Sequence, residues 1–534
     1  MAVTANKLRI RCTKAALRRQ AALGGAFSVL VLALLANPAS AVDWKFSPSV
    51  SAQATYSDNA NQSHSDPQDA LILSVRPGFT LRSEGLRRIQ ASVNYGLDSV
   101  ARFGENQSTD LNHNLGAIGK AELIDDFLFV DGSASISQEL ISLLGSPADA
   151  TTNSANRATV GTYSISPYIQ KRLGTFATAQ ARYTTSGSIF QNDVASNSNA
   201  NSFTAGLGSG TRFDDFTWGV NYSIRKANNT NAVDTTFESA SATAGYALTR
   251  KFRVFGTVGQ DWNDYLSTSG TSGSSYSVGF GWSPTRRTSL EASVGERYFG
   301  NTYSFSGSHR TRSSRWTVRY SENVSDISQQ FLTQTSRIFW VCNTGVTGIL
   351  VRETQDFTNP DPTSCVGPVS SGGLASLLST YYGYSINDLV ALNLLNIAIA
   401  NGVYIIKSFN AGVSWDVGRL GFGLSVQDTR RLYQALADAQ DQVQGVTGSV
   451  SYRMSPQTTA NGSLSLTRNS VDALLVAGGT ARKDDILSLS VGLNRRFADK
   501  LNGALSFRHT QRNSNVANAD YDENSLTASV SMSF

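Results

Sequence analysis

Charge, cysteine, proline and histidine are all scarce in this sequence. Charged residues make up 16% of its 534 positions, against roughly 25% in an average soluble domain. Three cysteines are too few for a disulfide-dense mini-protein, and 11 prolines are too few for a collagen-like chain. The four histidines, His64, His113, His309 and His509, are scattered. No His/Cys/Asp/Glu group has metal-ligand spacing, so neither a metal nor another cofactor is expected. Aromatic residues reach 10%, too many for a disordered chain.

The formal net charge of +5 comes from the first residues. Lys7, Arg9, Arg11, Lys14, Arg18 and Arg19 precede an apolar run from Ala21 to Ala36, and Ala39-Ser40-Ala41 follows. A basic start, a short apolar stretch and a small-x-small site form a secretory signal peptide, here residues 1–41. Of the 45 basic residues, 39 remain after its removal and face 40 acidic ones, a net of −1. Nucleic acid is therefore not an expected partner, since phosphate binding needs surplus Lys and Arg. Cys12 leaves with the leader. Cys342 and Cys365 remain in a compartment that permits disulfides. A bridge between them is expected, worth about 3 kcal/mol in the chain-entropy model; two independent buried thiols are the alternative.

Residues 42–534 are dominated by a period of two. In Leu526-Thr527-Ala528-Ser529-Val530-Ser531-Met532-Ser533-Phe534, apolar and hydroxyl residues alternate. A strand sends successive side chains to opposite faces, so one face is greasy and the other wet. The rhythm recurs at Phe216-Trp218-Val220-Tyr222, Tyr276-Val278-Phe280-Trp282 and Leu487-Leu489-Val491-Leu493, and along most of the chain. Short connections such as Thr249–Lys251 and Ala498–Lys500 alternate with mostly longer polar ones such as Ser57–Asp69, Gly187–Asn201, Asp428–Asp441, Asn469–Lys483 and Gln511–Asn524. Phe127, Phe176, Phe213, Trp218, Trp282, Trp316, Trp415 and Phe497 gather beside the short turns, as an aromatic girdle would. The pattern predicts an all-β, antiparallel, up-and-down transmembrane barrel of about 22 strands (range ~18–24) in a Gram-negative outer membrane. Lipid and the barrel assembly machinery are its expected partners. The amphipathic last strand ending on Phe534 resembles the signal that this machinery reads.

One segment, residues 326–401, breaks the rhythm. It holds both cysteines, the turn Asn359-Pro360-Asp361-Pro362, and a helix-like stretch with Ser385 as a cap and Leu389, Leu392, Leu395 and Ile397 on its apolar surface. Strand parity puts this insert on the outer side. It either folds inward as a constriction, stands outward as a cap, or is an ordinary long loop.

Enzyme chemistry finds little support. His113 lies near Asp110, and His64 near Ser65 and Asp66, but serine is everywhere and a triad needs geometry. Gly206-Leu207-Gly208-Ser209-Gly210 lacks the Lys and the following helix of a phosphate loop. Asp125-Asp126 and Asp214-Asp215 read as turn residues. The arginines are more informative. Arg286, Arg287, Arg310, Arg312, Arg315 and Arg319 cluster mid-chain. Arg315 and Arg319 alternate with Trp316, Val318 and Tyr320, which places them on the wet face as lumen charge favouring anionic solutes. Several of the others fall at periplasmic turns, where basic side chains are simply solvated.

Gly295-Glu296-Arg297-Tyr298-Phe299-Gly300-Asn301-Thr302-Tyr303, with His309-Arg310, Trp316 and Tyr320-Ser321-Glu322, resembles the central motif of the outer-membrane proteins associated with PEP-CTERM/exosortase systems. Tyr56-Ser57-Asp58-Asn59 and Tyr521-Asp522-Glu523-Asn524 fit the same family, which is similar to the barrels of exopolysaccharide operons. The resemblance implies a non-enzymatic barrel linked to export or surface assembly of exopolysaccharide or surface proteins, with polysaccharide or export proteins as partners. It supplies no catalytic residues. A gated channel is the leading expectation; a diffusion porin, a sealed scaffold and, last, a barrel hydrolase are the alternatives.

Overall fold

The computed structural model describes residues 43–84, 88–105, 107–144, 156–191, 195–230, 232–335, 337–343, 349–354, 357, 365–370, 374, 402–476 and 479–534. The expected signal peptide and the helix-like stretch around Leu389 lie outside the described residues.

Twenty-two antiparallel strands, each hydrogen-bonded to the next, form one sheet. The first strand, Asp43–Ser57, pairs with the last, Tyr521–Ser533, through Ala52↔Val530 and Ala54↔Ala528, and this closes the barrel. Closure leaves no open strand edge, the condition for a sheet to cross lipid. The even strand number puts both ends of the barrel sheet on one side. At that side the connections are tight, such as Arg250-Lys251, Arg286-Arg287 and Gly418-Arg419. The longer connections, and the segment between Asp326 and Val403, lie at the other end.

The burial pattern is inverted relative to a soluble protein. Along the last strand Leu526, Val530, Met532 and Phe534 are exposed, while Ser525, Thr527 and Ser531 are buried. Leu464, Leu466, Leu489, Val491, Leu505 and Phe507 continue the apolar outer band on neighbouring strands. Serine and threonine pairs run around the inside, for example Ser135 with Thr162 at 2.8 Å and Thr55 with Thr527 at 2.9 Å. An exposed apolar belt on a closed barrel with a polar interior is an outer-membrane surface. The aromatic girdle forms at the tight-turn end: Trp316 packs on Trp415 at 5.4 Å, and Phe176 on Phe213 and Trp218 at 5.4 and 5.7 Å.

Strands of 10–17 residues exceed the roughly 9–11 needed to span a bilayer. The excess lies at the outer end, where the lipid-side parity turns polar. Arg468 pairs with Asp485 at 2.6 Å, Tyr276 with Glu296 at 2.8 Å and His509 with Asn524 at 2.9 Å, all on the outward face. This corrects the loop boundaries expected from the alternation. The connection expected over Asn469–Lys483 spans only 472–481, that over Gln511–Asn524 only 515–520, and that over Asp428–Asp441 only 434–439. The ladder continues above the bilayer, but both faces there are wet, so the apolar rhythm stops before the strand does. Two outer connections, 105–107 and 298–299, are as tight as the turns at the other end.

The register yields a stability test. Val278 is 61% exposed on the lipid face of Ser272–Thr285. Val278→Arg is expected to cost about 2–4 kcal/mol in denaturant unfolding from lipid vesicles. Ser304→Arg, two strands away on the inner face, should cost under about 1 kcal/mol. Equal losses would put Val278 on the wrong side of the wall.

Candidate functional site in the lumen

A barrel of 22 strands encloses a space wider than the water-filled lumen of about 16–18-stranded porins. Among the described residues three features occupy that space. The first is the segment between strands Ser314–Asp326 and Val403–Val417, which turns inward. Its helix, Ile327–Thr335, starts where the Asp326 carboxylate accepts the Gln329 N–H at 2.7 Å, a helix N-cap. Asp326 also pairs with Arg225 of Phe216–Asn229. Phe331 is buried with Ile327 against Val160, Phe190 and Ala195, and its ring lies 5.8 Å from that of Phe190. Tyr404, fully buried, donates its hydroxyl to Gln330.

Beyond the helix, three short strands, Ile338–Asn343, Ile349–Thr354 and Cys365–Ser370, form a separate sheet. Cys342 and Cys365 are bonded, at a position where their two strands pair. Ile338, Trp340 and both cysteines are buried against Ile118, an inward residue of Ser108–Ile124. In strand order that wall lies halfway around from the insert's stem. The described part of the insert is therefore an inward constriction crossing the lumen, not an outward cap.

The second feature is an outer connection that also crosses. Leu143 is buried against Val443 and Val471, its carbonyl accepts from Asn469 at 3.1 Å, and the Leu144 carbonyl accepts from Arg512 at 2.6 Å. The third ties two rim loops, with the Thr268 N–H donating to the Gln434 carbonyl at 2.8 Å. Nothing in the alternation signals these contacts, because a crossing loop has no period.

The inner wall carries paired charge. Arg76 meets Asp98 at 2.6 Å, Arg431 holds Asp441 through two bonds of 2.8 and 2.7 Å, and Arg297 reaches Asp261 at 2.8 Å. Asp484, fully buried, bridges Arg482 at 3.0 Å and Arg512. Between the insert helix and the wall a cavity of about 770 Å³ is lined by Lys120, Asp131, Tyr168, Gln180, Arg182 and Gln329, among others. Arg182 pairs with Asp131 at 2.8 Å and lies 3.8 Å over the Tyr168 ring.

Inward residues stay exposed at several places towards the tight-turn end, among them Gln180, Thr204 and Asn221, and one sector adds clustered arginine to that exposure. On the strands from Phe252 to Asp326 the inward residues Ser304, Ser306, Ser308, Thr317 and Arg319 are exposed. Towards the outer rim of the same sector Asp261, Asn263 and Tyr265 are buried. This sector is thus open towards the tight-turn end, while at its outer end its own side chains close in, Arg297 on Asp261 and Tyr298 on Tyr265. A second cavity of about 990 Å³ lies at its mouth, lined by Arg286, Arg287, Arg310, Arg312 and Arg315 with serines and threonines.

Register places both sequence-selected arginines, Arg315 and Arg319, on the inner face: Arg315 is paired across strands with Arg310, and Arg319 with Ser306. The histidines remain apart. His113 bonds the Tyr95 hydroxyl at 2.9 Å on the outer face, whereas Asp110 faces inward to Arg102. His309 bonds Thr288 at 2.8 Å. Asp125 pairs with Arg88 at a turn. Gly206 to Ser209 are strand residues. The N–H of Phe534 bonds the Pro48 carbonyl at 2.9 Å, and the ring is exposed at the girdle level.

No family model matches the sequence, and none of the curated proteins does. Similar solved structures include the siderophore receptor PirA from Acinetobacter baumannii (TM-score 0.48, 9% identity, covering 93% of this chain and 81% of that one). Others are a mutant of the ferric enterobactin receptor from Pseudomonas aeruginosa in complex with enterobactin (0.46, 10%, 93% and 82%) and the FrpB iron transporter apoprotein from Neisseria meningitidis (0.47, 11%, 91% and 81%). At that identity no residue and no cargo transfers to this chain.

The neighbours Asp484 and Asp485 point to opposite faces and give a paired test. Asp484→Asn leaves the buried Arg512 and the partly buried Arg482 short of a carboxylate and is expected to cost about 3–5 kcal/mol in denaturant unfolding. Asp485→Asn breaks an ion pair that is half exposed and should cost no more than about 1 kcal/mol.

Proposed function

We propose that this chain is a non-enzymatic outer-membrane export barrel, loaded from the periplasm and held shut by its own insert. The observation that carries this reading is the constriction itself: the insert leaves one wall, crosses the lumen and packs on the opposite wall, while inward residues near the tight-turn end stay exposed. A segment that buries Phe331, Trp340 and a disulfide against the far wall narrows the bore, as a gate must. The resemblance of Gly295–Tyr303 and its flanking motifs to PEP-CTERM-associated barrels supports an exopolysaccharide or surface-protein export system as the setting. Opening requires the insert to leave Ile118 and Val160, or to shift along the wall. The disulfide keeps the small sheet together as one piece during that movement.

Conductance tests this directly. Asp326 and Val403 are cross-strand partners, so replacing residues 327–402 with a two-residue turn converts the insert into an ordinary hairpin end. The intact protein should be silent or carry brief small currents in planar bilayers; the shortened barrel should carry large steady ones. Equal steady currents from both would make the protein an ungated porin. Silence from the shortened barrel, and from one also lacking residues 143–155, would make it a sealed scaffold. Heat-modifiable migration confirms folding in each case.

A further inference from the structure

The arginine array has a feature that neither gating nor lipid anchoring accounts for. Arg310 and Arg315 are direct cross-strand partners. Like charges placed opposite each other in a sheet destabilise it. The Arg310 N–H is bonded to the Arg287 carbonyl at 2.9 Å, which brings the Arg286-Arg287 turn beside the pair, and Arg312 follows in the next turn. Arg286, Arg287, Arg310, Arg312 and Arg319 are all exposed. Glu291, an inward acid of this sector, is engaged by Arg253. Among the described residues no carboxylate pairs with Arg286, Arg287, Arg310, Arg312 or Arg319.

Anchoring to phospholipid headgroups would need these side chains on the lipid face. The register puts Arg310, Arg315 and Arg319 on the inner face, with Ser289, Ser308 and Thr317. The array is also wider than one small anion. It spans two turns and adjacent strands, which are spaced roughly 5 Å apart, around a cavity of about 990 Å³. Such a surface fits a chain of regularly repeated negative charges with hydroxyls between them, since its lining alternates guanidiniums with serine and threonine.

The two rims differ in charge. Apart from the insert, the outer connections contain Asp58, Asp66, Asp69, Glu105, Asp234 and Asp264 among their acids and no lysine or arginine. The tight turns of the arginine sector and its flanks carry Arg250, Lys251, Arg286, Arg287, Arg312 and Arg419 and no acid, whereas Asp125, Asp126, Asp214, Asp215 and Asp499 sit on tight turns elsewhere around the rim. An anionic polymer is attracted at the periplasmic mouth and repelled at the outer rim, each over about a Debye length of roughly 8 Å.

We infer that the Arg286/Arg287/Arg310/Arg312 array, with Arg315 and Arg319 above it, is the entry site for an acidic polysaccharide, recognised through its repeated carboxylates. The direction of passage rests on the export reading; binding does not, and it is measured without conduction.

The probe is polygalacturonate, with neutral dextran of equal length and inorganic phosphate as controls, added to the full-length protein in neutral detergent. Polygalacturonate should bind at least tenfold tighter than dextran and raise the unfolding temperature, and both effects should fade as salt rises from 50 to 500 mM, as they do for roughly screened charges. Arg286→Gln/Arg287→Gln and Arg310→Gln/Arg312→Gln should each weaken binding about tenfold or more, while Arg310→Lys retains most of it. Without ligand, Arg310→Gln should unfold at a higher temperature than the parent, because it relieves the Arg310–Arg315 repulsion. That readout holds even if a double variant folds poorly. Dextran binding as tightly, glutamine variants binding as the parent does, or phosphate reproducing the whole effect would each overturn the inference. Silence from both shortened barrels together with tight polygalacturonate binding would overturn the export reading and leave the binding site standing.

Discussion

Everything in this molecule follows from the cost of an unpaired peptide group in hydrocarbon. In lipid there is no water to take a strand's edge N–H and C=O groups, so the sheet must close. The pairing of Asp43–Ser57 with Tyr521–Ser533 is the seam that does so, joining parts of the chain separated by nearly its whole length. Once closed, each strand has one side in lipid and one in the lumen, and the period-two sequence is the direct record of that division. The apolar side gains little from its neighbours in the barrel. It is held by the solvent it faces.

Closure with so many strands creates a second constraint. A wide lumen has too much wall for its own side chains to fill, so it either stays wet or is filled by a separate element. Here both happen. The Ile118 and Val160 sectors meet apolar groups of the insert and become local cores in an otherwise polar interior. Away from the insert, charge is matched in short bridges such as Arg431–Asp441 and Asp484–Arg512. Removing one partner of such a bridge strands a buried ion, so these pairs hold the wall and rim loops in a single arrangement. Arg512 shows the link, since the same guanidinium holds Asp484 and the Leu144 carbonyl of a crossing loop.

The barrel was legible in the sequence because its alternation is a local property, readable within a few residues at Phe216–Tyr222 or Leu526–Phe534. The inner placement of Arg315 and Arg319 followed from the same parity. What parity could not supply was anything that depends on the far wall. Phe331 and Trp340 look like ordinary apolar residues in an irregular stretch, and their partners Phe190 and Ile118 look like breaks in a wet face. Only closure brings them together. The outer strand ends were misread for a related reason. Arg468 and Asp485 sit on the greasy parity yet lie beyond the greasy solvent, so chemistry and secondary structure part company at the membrane surface.

The position of the insert in the chain decides which wall is left free. Its stem is the hairpin end between Asp326 and Val403, and its apolar groups need the far wall, around Ile118, Val160 and Phe190, to be buried. An element that leans away from its stem covers the opposite sector and leaves the strands just before the stem uncovered. Those strands, Phe252 to Asp326, carry the exposed serines and the arginines. The inner faces under the insert can be apolar and closely packed; the face beside it stays in contact with water and can hold like charges at close range. The packed wall and the basic wall are therefore two consequences of one asymmetric placement.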